Sequence, residues 1–161
     1  MNDAAGEMGH TTIIVNGEQC NCGRKGCWER YASATALIAQ TKAKMLEYPD
    51  SKMWEVAEGD IAKVSGRTAF TAMYMNDEAA KQVVEQYIEY VAIGVTNIVN
   101  IFQPDVICIG GGIANEGDNL LEPVKAYVAS ECYTKHAKKQ TKICKAVLGN
   151  DAGIIGAALA E

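Results

Sequence analysis

The apolar positions change their period several times along the chain, and each change marks an element. Thr11-Thr12-Ile13-Ile14-Val15 is β-branched throughout and runs into Asn16-Gly17, a dipeptide that readily takes φ > 0, so a strand and a tight turn are predicted. Beyond Ser33, a natural helix cap, Leu37, Ile38, Thr41 and Met45 share one face and predict a helix over 34–47 that Tyr48-Pro49-Asp50 stops. A weaker helical pair follows between Lys52 and Met75, interrupted at Glu58-Gly59-Asp60 and Ser65-Gly66.

The strongest periodicity comes next. Val84, Tyr87, Ile88, Val91, Val95, Ile98, Val99 and Phe102 recur at helical spacing and predict a helix of about 26 residues. Asn76 would cap it, with Asp77 and Glu78 at the positive end of its dipole, and Gln103-Pro104 would end it. Asp105-Val106-Ile107-Cys108-Ile109 is a short apolar run that reads as a buried parallel strand leading into Gly110-Gly111-Gly112. A helix over 118–131, a strand over 142–148 and a small-residue helix over 152–159 capped by Asp151 complete the pattern. Strands alternating with helices at this spacing predict an α/β fold with a largely parallel or mixed sheet.

Composition narrows the class. At 161 residues and 48% hydrophobic the chain fits one domain with a sizeable core. A net charge of −5 argues against nucleic acid as the main partner. Lys135, Lys138, Lys139, Lys142 and Lys145 form a local basic run whose ordinary reading is a solvated face. No apolar run approaches the ~20 residues of a membrane span, and Met1-Asn2-Asp3 does not resemble a secretory leader, so a cytoplasmic location is expected.

The six cysteines are unevenly placed: Cys20, Cys22 and Cys27 cluster, while Cys108, Cys132 and Cys144 are scattered. In a reducing compartment a tight cluster suggests metal, and scattered thiols suggest small buried hydrophobes. With His10 the cluster offers a Cys3His set suited to a closed tetrahedral zinc site. The spacing departs from the paired CxxC of zinc ribbons, so a disulfide with one free thiol, or three unconnected cysteines, stays open on spacing alone. Glu7 and Glu29 flank the cluster. Each carboxylate can accept hydrogen bonds from adjacent sugar hydroxyls, although a single glutamate is most often just solvated.

Taken in order, Glu7-Met8-Gly9-His10, the segment from Cys20 to Glu29, Val99 to Asp105, Ile109-Gly110-Gly111-Gly112 and Asn150 to Ala158 resemble the ROK family of sugar kinases and repressors over essentially the whole chain. The resemblance implies an actin-like ATPase (ribonuclease H-like) domain, the C-terminal half of a ROK sugar kinase with a zinc-binding loop. It implies a single domain over 1–161, with a sugar- and zinc-binding segment at 1–32, a helical part at 33–103 and a nucleotide-side α/β part at 104–161. His10, Cys20, Cys22 and Cys27 match the family's zinc ligands, and Glu7, His10 and Glu29 its sugar contacts. Gly110, Gly111 and Gly112 match its nucleotide turn, to which a following helix N-terminus would add a favourable dipole.

The expected chemistry is transfer of the γ-phosphoryl group of ATP, with Mg²⁺, to the 6-hydroxyl of a hexose, glucose above all. Family kinases also carry an N-terminal DxGxT phosphate loop and an aspartate general base. Neither motif appears here, so the polypeptide by itself is expected not to turn over. The second reading is the sugar-sensing part of a ROK repressor, and the third a zinc-stabilised assembly module. A homo-oligomer is expected, with neither nucleic acid nor membrane as partner.

Overall fold

The computed structural model describes residues 5–159; residues 1–4 and 160–161 of the expected domain, and the side chains of Asn150, Ala152 and Gly153 in the terminal motif, lie outside what is described. A central helix organises it. Helix α5 (Glu78–Phe102, 25 residues) is about 37 Å long at 1.5 Å per residue. It packs against α1 (Glu29–Ala32), α2 (Ala34–Glu47), α4 (Thr68–Tyr74) and α6 (Asp118–Glu131), while the short α3 (Lys52–Val56) packs on α4. Leu37, Met45, Met53, Phe70, Val84, Leu120 and Val124 are almost wholly excluded from solvent and bind these helices into one core. Among the described residues no helix is long and apolar enough to cross a membrane.

The periodic segments fold much as their patterns predict. Ser33 caps α2 by accepting from the Ala36 N–H at 3.1 Å, and α2 ends at Glu47. Helix α5 spans the predicted stretch, but its cap is Asp77 rather than Asn76, which instead takes a left-handed φ of 61° one residue earlier. The Asp77 carboxylate accepts from the N–H of Ala80 and of Lys52, each at 2.7 Å, and from the Ser51 hydroxyl at 3.1 Å. Ser51 in turn caps α3 through the Met53 N–H at 3.2 Å. One carboxylate therefore ties the starts of two helices together. Gln103 closes α5 in the left-handed region at φ 47°. Phe102, expected on the core face, is 60% exposed in the last turn of α5.

Asp77→Ala is expected to cost about 2 kcal/mol, a cap plus one further charge-assisted bond, and Asp77→Asn much less. Burial pushes this carboxyl up, but the Ala80 and Lys52 N–H groups and the Ser51 hydroxyl together hold it below its ordinary value. A folded pKa below the unfolded ~3.9 gives stability that is present above that pH and lost as pH falls through the folded value. Urea denaturation of both variants at neutral and acid pH checks the size and the sign, the Ala penalty shrinking in acid.

The sheet is smaller and more open than its sequence suggests. β1 (Val106–Ile109) and β2 (Lys142–Lys145) are parallel, with Ile107 opposite Ile143 and Cys108 opposite Cys144. Helix α6 crosses between them, so the three make one β-α-β unit. Ile107 and Ile109 pack on the core, but Val106 and Cys108 are exposed, so β1 is half-buried rather than buried as predicted. β2 stops at Lys145 instead of reaching Leu148. The predicted strand over 11–15 does not form: among the described residues Thr12 makes a single antiparallel bridge to Cys27, and Val15 is 81% exposed. The five lysines of the basic run are all exposed, with Lys139 paired to Asp105 at 2.6 Å and Lys145 donating to Asn115 at 3.0 Å. A final helix, α7, occupies Ala152–Leu159.

Candidate metal and sugar site

In place of a strand, residues 8–28 form a knot of turns around sulfur. Met8–His10 make one 3-10 turn, in which the His10 N–H reaches the Glu7 carbonyl at 3.1 Å. The Ile13 N–H donates to the Gly26 carbonyl at 2.9 Å and the Trp28 N–H to Thr11 at 2.8 Å, which lays the cysteine segment against residues 11–13. The Cys20–Arg24 loop closes through the Cys20 N–H to Arg24 at 2.8 Å. Gly26 has φ 74°, and a Cβ there would lie 1.7 Å from the Ile14 carbonyl oxygen, so only glycine fits. Tyr31 and Arg30 of α1 hold the far side: the Glu18 N–H donates to the Tyr31 hydroxyl at 2.7 Å, and Arg30 pairs with the Glu18 carboxylate at 3.0 Å.

These turns bring His10, Cys20, Cys22 and Cys27 together, with one ligand atom of each within 4.8 Å of the others. Cys20 Sγ lies 3.6 Å from His10 Nδ1, and Cys22 Sγ 3.5 Å from Cys27 Sγ. A tetrahedral Zn²⁺ with Zn–S of ~2.3 Å and Zn–N of ~2.0 Å sets edges of roughly 3.6–3.8 Å between ligands, so the donor set fits the ion in both type and spacing. All six cysteines are free thiols in this structure. Cys20 and Cys27 are buried and Cys22 is exposed. The Arg24 backbone N–H beside Cys22 holds that thiol below its ordinary value, whereas burial and the neighbouring thiols push Cys27 up to about 11. Thiols bind a divalent cation as thiolates, so binding here would release their protons to solvent.

The sugar-side residues are brought together in part. Glu29 opens α1, and its Oε2 stands 3.8 Å from His10 Nδ1. Gly9 packs its backbone against the Glu29 side chain: a Cβ at Gly9 would be 3.5 Å from Glu29 Cβ. Glu7 is exposed and enters through its chain position, one turn before His10, rather than through a side-chain contact. Glu29 and His10 thus share a half-exposed rim directly over the thiol cluster, with carboxylate and imidazole available to hydroxyl groups.

One residue that the motif reading passed over fixes this rim to the core. Trp28, between Cys27 and Glu29, lays its indole on Gly94 in the middle of α5, and its Nε1–H donates to the Tyr90 carbonyl at 2.7 Å. A Cβ at Gly94 would fall 1.9 Å from the ring. The available signal was a glycine inside an otherwise uninterrupted apolar helix, where it costs ~1 kcal/mol relative to alanine and so needs a packing reason.

Across a cavity from Trp28, β1 leads into Gly110-Gly111-Gly112. Gly111 takes φ 83° and ψ 175°, a glycine-only conformation, and nothing lies within 4 Å of a Cβ built on Gly111 or Gly112. A 3-10 segment over Gly112–Glu116 follows the turn, and α6 starts at Asp118, where its pattern predicted, with that carboxylate in its first turn. The helix-dipole contribution expected for phosphate is therefore not placed at the glycines. Trp28 and the turn border a common apolar cavity of about 270 Å³, lined also by Val91, Val95, Ile107 and Ile113.

Fold and site together describe a mixed helix–sheet domain that carries a thiol–imidazole knot and a glycine turn, whose neighbours Trp28 and Gly110 border one cavity along α5. The ROK family description matches residues 1–160. The chain is 34% identical over 157 residues to a glucokinase of Halalkalibacterium halodurans, covering 97% of this chain and 47% of that protein. It is 31% identical over 154 residues to the xylose repressor of Bacillus subtilis, covering 94% and 35% respectively. It superposes with a TM-score of 0.84 on a ROK family glucokinase from Streptomyces griseus in complex with glucose and AMPPNP, 27% identical, over 96% of this chain and 50% of that one. The chain belongs to the ROK family and has the fold of its sugar kinases, and it spans about half the length of the curated relatives it matches.

Proposed function

We propose that this chain is the sugar- and nucleotide-binding C-terminal part of an ATP-dependent hexose kinase, glucokinase first among them. The observation that carries the reading is the meeting of His10 and Glu29 directly over the Cys3His knot, on a fold whose neighbour from Streptomyces griseus holds glucose and AMPPNP. Cys20, Cys22, Cys27 and His10 would hold Zn²⁺, whose part is structural because four protein ligands leave no open position. His10 turns Nδ1 toward the sulfurs, which leaves Nε2 for a sugar hydroxyl. The Glu29 and Glu7 carboxylates would accept from neighbouring hydroxyls and so orient the ring. Beyond β1 the bare backbone at Gly111 and Gly112 would accommodate phosphate groups, with Mg²⁺ held chiefly by the nucleotide and neutralising the charge of transfer.

Calorimetric titration with glucose tests the reading. Glu29→Gln keeps the size of the side chain and removes the charge from its hydrogen bonds, so affinity should fall about tenfold, the equivalent of ~1.4 kcal/mol. An unchanged affinity would remove Glu29 from the site. The xylose repressor's similarity supports a second reading, the sugar-sensing part of a repressor. ADP titration separates the two: the kinase reading requires nucleotide binding that a Gly111→Val change abolishes, and the repressor reading requires sugar binding alone.

A further inference from the structure

Cys108 and Cys144 play no part in the site above, yet the sheet holds them side by side. They are register partners on the parallel strands β1 and β2, both are free thiols, and their Sγ atoms are 3.6 Å apart. Cys108 is exposed and Cys144 half-buried, whereas Cys132 is buried elsewhere at 2% exposure. Neighbouring strands run ~4.8 Å apart, inside the ~4.4–6.8 Å window that disulfides allow between Cα atoms. Bonding requires the sulfurs to close from 3.6 Å to ~2.05 Å, by side-chain rotation and a small approach of the two strands. The scattered cysteines were expected to be small buried hydrophobes, and an exposed, paired Cys108 does not fit that role.

We propose that Cys108 and Cys144 form a reversible dithiol–disulfide site that exchanges with small disulfides. The thiolate of one cysteine attacks a sulfur of R–S–S–R; that bond breaks, one RS⁻ leaves and takes up a proton, and a mixed disulfide remains on the protein. The second cysteine gives its proton to solvent and attacks the protein sulfur of the mixed disulfide, expelling the second RS⁻. Two protein thiols are oxidised to one disulfide while R–S–S–R is reduced to two RSH. The hydrogen bond shared with Cys144 holds the Cys108 thiol above its ordinary value, so the first step should accelerate with rising pH. An exposed bridge of this kind remains open to attack by external thiols, which makes it reversible. The bridge would stand at the base of the glycine turn, because β1 ends at Ile109 and Gly110 follows at once.

Oxidised glutathione is the probe, applied at mildly alkaline pH to the purified chain with its bound metal retained, followed by alkylation, digestion and peptide mass mapping. The expected result is one linked species containing the Cys108 and Cys144 peptides, lighter by two hydrogens, with loss of two titratable thiols that dithiothreitol restores. Cys144→Ser should stop at a stable glutathione adduct on Cys108. Three results would overturn the proposal: separate adducts on both cysteines of the unmodified chain, a bridge from either to any other cysteine, or no oxidation where a cysteine peptide in the same tube is oxidised.

Discussion

Cys22→Ala should release the proposed Zn²⁺ and weaken sugar binding, although Cys22 is not among the residues proposed to touch the sugar. Cys22 is the exposed member of the four-ligand knot, so its truncation opens no core cavity and removes little besides a ligand. Supporting residues around a metal typically change its affinity by ~10–100-fold, and loss of a ligand itself should exceed the upper end of that range. The consequence for sugar runs through geometry. Cys27, with no exposed surface, sits two residues before Glu29, and His10 shares its ring between the Cys20 sulfur and the Glu29 carboxylate. Without the ion the buried thiols keep their protons, the turns from 8 to 28 lose their common tether, and His10 and Glu29 no longer keep one spacing. Elemental analysis should read one zinc per chain for the unmodified protein and far below that for the variant, with glucose affinity falling in parallel. A folded, sugar-binding, zinc-free protein would overturn the ligand assignment.

What the sequence made legible was set by locality. Helices α2, α5 and α6 begin and end close to their predicted limits because cap, apolar stripe and stop signal lie within each segment: Ser33 for α2, Gln103-Pro104 for α5, Asp118 for α6. Asn76 and Asp77 were both credible caps. The choice fell to Asp77 because Ser51 and the Lys52 N–H, from another helix, also need its carboxylate. The 11–15 segment has strong β propensity, but propensity expresses itself only against a partner strand. Here the Ile13 and Ile14 N–H groups both turn to the single Gly26 carbonyl, and the chain folds around the sulfur knot instead. The four candidate ligands could be picked out together because three lie within eight residues and His10 close before them. The pairing of Cys108 with Cys144 was not, since it depends on a register set by α6 crossing between the strands.

Gly94→Val should destabilise the protein by about 4 kcal/mol and Gly94→Ala by about 2, a sign opposite to what an exposed helix would show. In isolation alanine is favoured over glycine within a helix by ~1 kcal/mol. At Gly94 that gain meets the Trp28 ring 1.9 Å from the new Cβ, and overpacking of this kind costs ~1–3 kcal/mol, with ~1 more if the Trp28 Nε1–H loses the Tyr90 carbonyl. Valine adds volume and a stiff branch at the same contact. The decisive comparison is in a Trp28→Ala background, where the obstruction is gone: there Gly94→Ala should stabilise by up to ~1 kcal/mol, so that the sign of one substitution reverses with the identity of a residue 66 positions away. Urea denaturation of the four proteins measures the coupling directly. Because Trp28 stands between Cys27 and Glu29, Gly94→Val should also weaken glucose binding, tying the middle of α5 to the sugar rim; additive effects would show instead that indole and helix are independent.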